Sequence, residues 1–156
     1  MERVAVVGSR KGADLHAVRS FLDRLHRKSP DTVVVSGGAA GVDTAAEQHW
    51  LGLGGRVISF RPYASTPECF WVQELGLVPP FRTEKPYARF HREPSWATYN
   101  GALFWRNKLI AAKCNRMVWF MAEPPTAGTM LARDCADAEG KPRYDGSAVV
   151  KSFASV

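Results

Sequence analysis

Three times along this chain a short apolar run ends in a glycine-containing loop that opens a helix-patterned segment. The first run is Val4-Ala5-Val6-Val7 and its loop is Gly8-Ser9-Arg10. Leu15, Val18, Leu22 and Leu25 then recur at helical spacing, while Arg19, Asp23, Arg24 and Arg27 take the other side. Ser29-Pro30-Asp31 ends that helix. Thr32-Val33-Val34-Val35 predicts a second strand, followed by the loop Ser36-Gly37-Gly38-Ala39-Ala40-Gly41 and a helix from Val42 to about Leu53. Gly54-Gly55 closes that helix, and Arg56 to Phe60 predicts a third strand. A helix from about Tyr99 to Lys113 precedes a fourth strand at Arg116 to Met121. Thr126-Ala127-Gly128-Thr129 opens a last helix through Ala138, and Ser147 to Phe153 reads as a fifth strand. Strands that are apolar along their whole length and alternate with helices require a sheet covered on both faces. The expected fold is α/β, a Rossmann-like doubly wound, mainly parallel five-stranded sheet with helices on both faces. Right-handed crossovers then bring the three loops to one edge of the sheet, where ligands bind in such architectures.

At 156 residues the chain is sized for one domain, expected to span 1–156 with an irregular Pro- and aromatic-rich insert at about 62–98. Hydrophobic residues at 46% and charged residues at 23% exclude disorder, collagen and coiled coil as whole-chain descriptions. Cys69, Cys114 and Cys135 are far apart and lack the spacing of a zinc site or a disulfide framework, so no metal is expected. The apolar run Met117 to Ala122 is far below the roughly 20 residues of a membrane span, and the one at the start is too short for a secretion signal. A cytoplasmic protein with no membrane partner is expected. The net charge of +6 points to a polyanionic or phosphorylated partner. Residues 1–30 hold seven basic and three acidic side chains and residues 94–122 hold four basic and none acidic, so the excess is localised. Arg10 and Arg106 fall in these two stretches, which predicts a positive crevice between the first and fourth strands.

The loops carry the chemistry. Missing side chains let backbone amides approach a phosphate, and the following helix adds positive character at its N-terminus. The expected ligand contacts are the amides of Gly8, Gly37, Gly38, Gly41 and Gly128, with Ser9, Arg10, Ser36, Arg106, Asn107 and Thr129 supplying side chains. Asp43 lies in the first turn of the second helix, placed to favour the helix dipole, to order the loop or to accept from a ribose hydroxyl. Neither a Gly-x-Gly-x-x-Gly with an acidic residue after the third strand nor a Gly-x-x-x-x-Gly-Lys-Ser/Thr occurs, which disfavours a standard NAD dehydrogenase and a P-loop ATPase.

Gly8-Ser9-Arg10, Ser36-Gly37-Gly38-Ala39-x-Gly41-Val42-Asp43, Arg106-Asn107 and Gly128-Thr129, in this order, resemble the SLOG superfamily. Its relatives include the DNA-processing protein A and the LOG phosphoribohydrolases, and the likeness is greatest to its small stand-alone YspA-like group. The resemblance implies a nucleotide-related ligand. It also implies a departure: the LOG enzymes carry a catalytic Glu three residues after the Gly-Thr, where this chain has Ala132, and their Pro-Gly-Gly is replaced by Pro125-Thr126-Ala127. A methyl group cannot serve as acid or base, so LOG-like hydrolysis would need Asp43 or Asp134 as a substitute catalytic residue.

Aromatic residues gather in the middle of the chain, among them Phe70, Trp71, Tyr87, Phe90 and Trp96, interleaved with Arg82, Arg89 and Arg92. They suit packing of an insert or a homodimer interface, or a stacking surface for single-stranded nucleic acid. The leading expectation is a sensor or carrier that binds a nucleotide or ADP-ribose-like ligand, with no cofactor required. The alternatives are an N-glycosidic hydrolase acting on a nucleotide and a single-stranded DNA-binding protein.

Overall fold

A computed structural model describes residues 2–62, 70–74, 106–108, 110–122, 134 and 140–153. Strand β1 (Arg3–Gly8) is buried from Val4 to Val7 and leads into helix α1 (Leu15–Lys28). Asp14 caps α1, its carboxylate accepting from the Ala17 amide at 3.1 Å, and the last turn carries His26, Arg27 and Lys28, which suit the negative end of the dipole. Strand β2 (Val33–Ser36) is buried along its whole length and feeds helix α2 (Val42–Gly52). Strand β3 (Arg56–Pro62) is followed by strand β4 (Phe70–Glu74). Residues 106–108 and 110–113 are helical and are called α3. Strand β5 (Arg116–Phe120), strand β6 (Arg143–Asp145) and helix α4 (Gly146–Phe153) complete the described elements.

The six strands form one sheet in the order β4-β3-β2-β1-β5-β6. All pairings are parallel except that of β3 with β4. The expected parallel sheet of five strands is therefore present, though its fifth strand is formed by other residues than expected, and β4 is added antiparallel at one edge. The order reverses between β1 and β5, whose register runs from Val4 opposite Arg116 to Gly8 opposite Phe120. That is the switch point at which the carboxyl ends of neighbouring strands part and leave a crevice.

Period-two alternation along the strands builds a core on each face. Val4, Val6, Val34, Val57, Val118 and Phe120 pack against Ala17, Val18, Phe21, Leu22 and Leu25 of α1 and Val42, Ala46 and Trp50 of α2. Val149 and Val150 of α4 lean on the same core. Ala5, Val7, Val35, Phe60 and Met117 face the other way, toward Ile110, Ala111 and Cys114. Helices α1, α2 and α4 thus cover one face, and α3 the other.

Ser147 to Phe153, expected as the fifth strand, is helical instead, and the strand is Arg143–Asp145. The Asp145 carboxylate accepts from the amides of Ser147 at 3.0 Å and Ala148 at 3.5 Å, a helix-opening arrangement. Packing on the core and this cap outweigh the strand preference of Val149-Val150. The third strand runs two residues further than expected, to Pro62. Of the stretch from 62 to 98, only Pro62 and β4 are described, and of the expected last helix only Asp134, which is helical and exposed. Among the described residues no helix is long and apolar enough to cross a membrane.

Candidate functional site

The first two loops lie at the carboxyl ends of adjacent parallel strands and are tied together. The Ser9 amide donates to the Phe120 carbonyl at 3.1 Å, and the Ser9 hydroxyl accepts from the Ala122 amide at 2.9 Å. This buried serine therefore links the loop after β1 to the chain leaving β5. The Ser9 carbonyl accepts from the Val42 amide at 3.3 Å, which joins the same loop to the start of α2. Gly41, the N-cap of α2, has φ +80° and no side-chain cap. A Cβ there would lie 2.7 Å from the Arg10 carbonyl carbon and closer still to the carbonyl oxygens of Ser9 and Arg10. Both the backbone angle and the close approach call for glycine.

Arg106 arrives from the opposite face of the sheet. It is 6% exposed, its Nη1 donates to the Gly37 carbonyl at 2.9 Å, and its Nε donates to the Asn107 side-chain oxygen at 3.0 Å. A Cβ on Gly37 would stand 2.5 Å from Nη1 and 2.8 Å from Cζ, so the glycine makes room for the guanidinium. The likeness of Gly37 to a phosphate-cradle residue thus has a second cause inside the protein.

Asp43 is 4% exposed and turns back onto its own loop. Its Oδ2 accepts from the Ala39 amide at 3.3 Å. Burial pushes its pKa from 3.8 up to about 6 against the pull of the Arg106 guanidinium. The Glu47 carboxylate acts in the same direction as burial, and the amides of Ala39 and Gly37 oppose it. The Gly38 amide reaches the Ser36 hydroxyl at 3.3 Å, and Thr44 closes the loop from below through its amide and hydroxyl, both donating to the Ala39 carbonyl. Asp43 is therefore a loop-ordering residue, one of the roles its position in the sequence allowed.

Gly8, Ser9, Ser36, Gly37, Gly38, Gly41, Asp43, Arg106 and Asn107 all belong to this assembly, and Arg10 stands exposed at its rim. Gly128 and Thr129, with Ala132, lie outside the described residues. Two buried groups were missed in the sequence. Glu47, 3% exposed, accepts from the Ser59 hydroxyl at 2.8 Å, and Ser59 is the register partner of Ser36 across β2 and β3. The available signal was the Asp43–Glu47 spacing of four, which sets both carboxylates on one side of α2.

The charge pattern is only partly a property of this site. Arg10 and Arg106 are at the carboxyl end of the sheet, but Arg116 starts β5 and pairs with Glu2 at 3.0 Å at the opposite end. Arg27 and Lys28 close α1, which runs from the β1 loop back to that opposite end. A shallow groove between α1 and α2, lined by Leu15, Arg19, Thr44 and Gln48 among others, meets the assembly at Gly41. Beside it His49 and Asp23 pair at 2.7 Å, which gives His49 a structural partner across the two helices.

Residues 2–63 match the family described as YspA, cpYpsA-related SLOG. The structure of DNA processing protein A from Streptococcus pneumoniae is similar, with a TM-score of 0.65 and 22% identity over 93% of this chain. This chain spans half the length of that protein. DNA processing protein A from Helicobacter pylori, described for its single-stranded DNA binding mode, gives a TM-score of 0.62 at 20% identity, covering 98% of this chain and 73% of its own. A structural-genomics target gives 0.59 at 18% identity, covering 92% of this chain and 72% of its own. At these identities the likeness establishes the fold. No curated protein matches the sequence.

Proposed function

We propose, from the likeness of residues 2–63 to the SLOG family, that the strand-end crevice binds a nucleotide or nucleotide-derived phosphorylated ligand, as a sensor or carrier. The observation that carries the reading is Arg106. Its buried guanidinium is held against the second glycine loop by the Gly37 carbonyl, which keeps a fixed positive charge beside the loop amides at the strand ends. Phosphate is the ligand chemistry that suits a planar fork of N–H donors next to backbone amides. The ends of β1, β2 and β5 supply the crevice, and α2 points its positive end into it.

Binding without turnover is favoured over hydrolysis. Alanine stands at 132, and Asp43 is committed to the loop amides and faces Arg106, where it is poorly placed to protonate a leaving group. Single-stranded nucleic acid is the second reading, supported by the net charge of +6 and by the Helicobacter pylori neighbour.

A thermal-shift panel of mononucleotides, dinucleotides and ADP-ribose tests the reading. A ligand at about 100 times its Kd contributes about 2.7 kcal/mol, which raises Tm by roughly 5 to 10 °C in a domain of this size. Absence of a shift with every member of the panel contradicts it, and binding of an oligonucleotide alone supports the second reading.

A further inference from the structure

The second loop already holds an anion of its own. The Asp43 carboxylate accepts from the Ala39 amide at 3.3 Å and faces the Arg106 guanidinium, which in turn donates to the Gly37 carbonyl. These are the groups that a ligand phosphate would use. Two anions cannot share one set of donors in a buried site without strong repulsion. One turn along α2, Glu47 adds a further buried carboxylate, pinned by the Ser59 hydroxyl at 2.8 Å. Among the described residues, the charged groups that act on Asp43 are Arg106 from α3 and Glu47 from its own helix. The packed strands β2 and β3 present the hydroxyls of Ser36 and Ser59, and the loop after β1 presents the Ser9 carbonyl.

We infer that a ligand phosphate enters this site by displacing the Asp43 carboxylate from the loop amides and from Arg106, that Asp43 takes up one proton from solvent as it yields, and that Glu47 is the positioning residue that compels this uptake. The inference rests on the phosphate-binding reading above. In the ligand-free protein, burial and Glu47 push the Asp43 carboxyl toward its neutral form, and Arg106 and the amides of Ala39 and Gly37 hold it back, leaving it ionised above about pH 6. Once phosphate takes those donors, burial, Glu47 and the phosphate charge all favour the neutral carboxyl. The proton stays on Asp43 while the ligand is bound and returns to solvent on release.

Calorimetric titration with ADP-ribose tests this, because its two phosphate groups keep a constant charge across about pH 5.5 to 8.5. The expected result is a Kd that weakens by about tenfold per pH unit above about pH 6.5, with a buffer-dependent heat that reports uptake of close to one proton. Asp43→Asn is expected to bind with no such pH dependence. Glu47→Gln is expected to move the onset of weakening to lower pH, whereas a merely structural Glu47 would weaken binding by the same factor at every pH. A wild-type Kd that is flat with pH and free of proton uptake overturns the inference while leaving the phosphate reading intact. An unmoved onset in Glu47→Gln overturns the role of Glu47. No binding of ADP-ribose to wild type or to Asp43→Asn at any pH overturns the phosphate reading for this ligand and the inference with it.

Discussion

Arg106 and Asp43 set the chemistry of the crevice, and each constrains what replacing the other can do. Removing the Arg106 guanidinium leaves the Gly37 carbonyl and the Asp43 carboxylate short of a cation in a buried place. Arg106→Ala is therefore expected to cost about 3 kcal/mol, or roughly 10 °C in Tm, as well as ligand binding, measured by thermal melts with and without ADP-ribose. An unchanged ligand-free melt would mean that the arginine does not hold the loop. Asp43 adds a pH signature. Its folded pKa of about 6 lies above its ordinary value of 3.8, so its contribution to stability is fully present below about pH 4 and is lost as pH rises through 6. The full swing is about 3 kcal/mol. Chemical denaturation of wild type and Asp43→Asn should show the variant gaining on wild type by about 2 kcal/mol between about pH 4.5 and 8, and parallel curves would refute the raised pKa. At this scale the sequence was legible wherever a residue stood inside a loop pattern, as Arg106-Asn107 and Asp43 did. Glu47 was not, because a glutamate in the second turn of a helix ordinarily faces water, and the Ser59 hydroxyl that donates to it here comes from β3, distant in sequence.

The element on which the site depends is the entry into α2. Its first amides are received by the Ser9 carbonyl and by the loop itself, and Gly41 makes the turn at positive φ against the loop after β1. Gly41→Ala is expected to destabilise by about 2 to 4 kcal/mol through the strained backbone angle and the clash with two carbonyl groups, read as a lower denaturation midpoint at unchanged slope. A neutral result would mean the loops are not in contact. Elements with strong periodicity or unbroken burial were readable in advance: β1, α1, β2 and α2 follow directly from apolar spacing and breakers. The C-terminal segment was misread because Val149-Val150 has strand character in isolation, and the Asp145 cap that makes it helical is a local signal easily lost beside β-branched residues. Strand β4 was not assigned because its sequence, Phe70-Trp71-Val72-Gln73-Glu74, sits among prolines and has no alternating pattern long enough to stand out.

For the molecule as a whole, the sheet order β3-β2-β1-β5-β6 is compatible with right-handed crossovers, and it sets the switch point beside Gly8 and Phe120. The charge does not gather there so completely as its clustering in sequence suggested, since Arg116 and the end of α1 lie at the other end of the strands. Binding of a small phosphorylated ligand is thus expected to weaken only modestly with salt, with a logarithmic slope of about −1 to −2. An oligonucleotide lying across several phosphates would give a slope steeper by about 0.7 for each further phosphate neutralised. A steep slope for ADP-ribose would place the attraction in the general surface charge. The most direct measurement is the change of backbone amide resonances as ADP-ribose is added to the isotopically labelled protein. The largest changes should fall on residues 8–10 and 36–43 and on the Arg106 side-chain Nε–H, and Arg106→Ala should abolish them. Changes confined to the α1–α2 groove at Leu15, Arg19 and Gln48, or spread over the basic surface, would contradict a phosphate site at the strand ends.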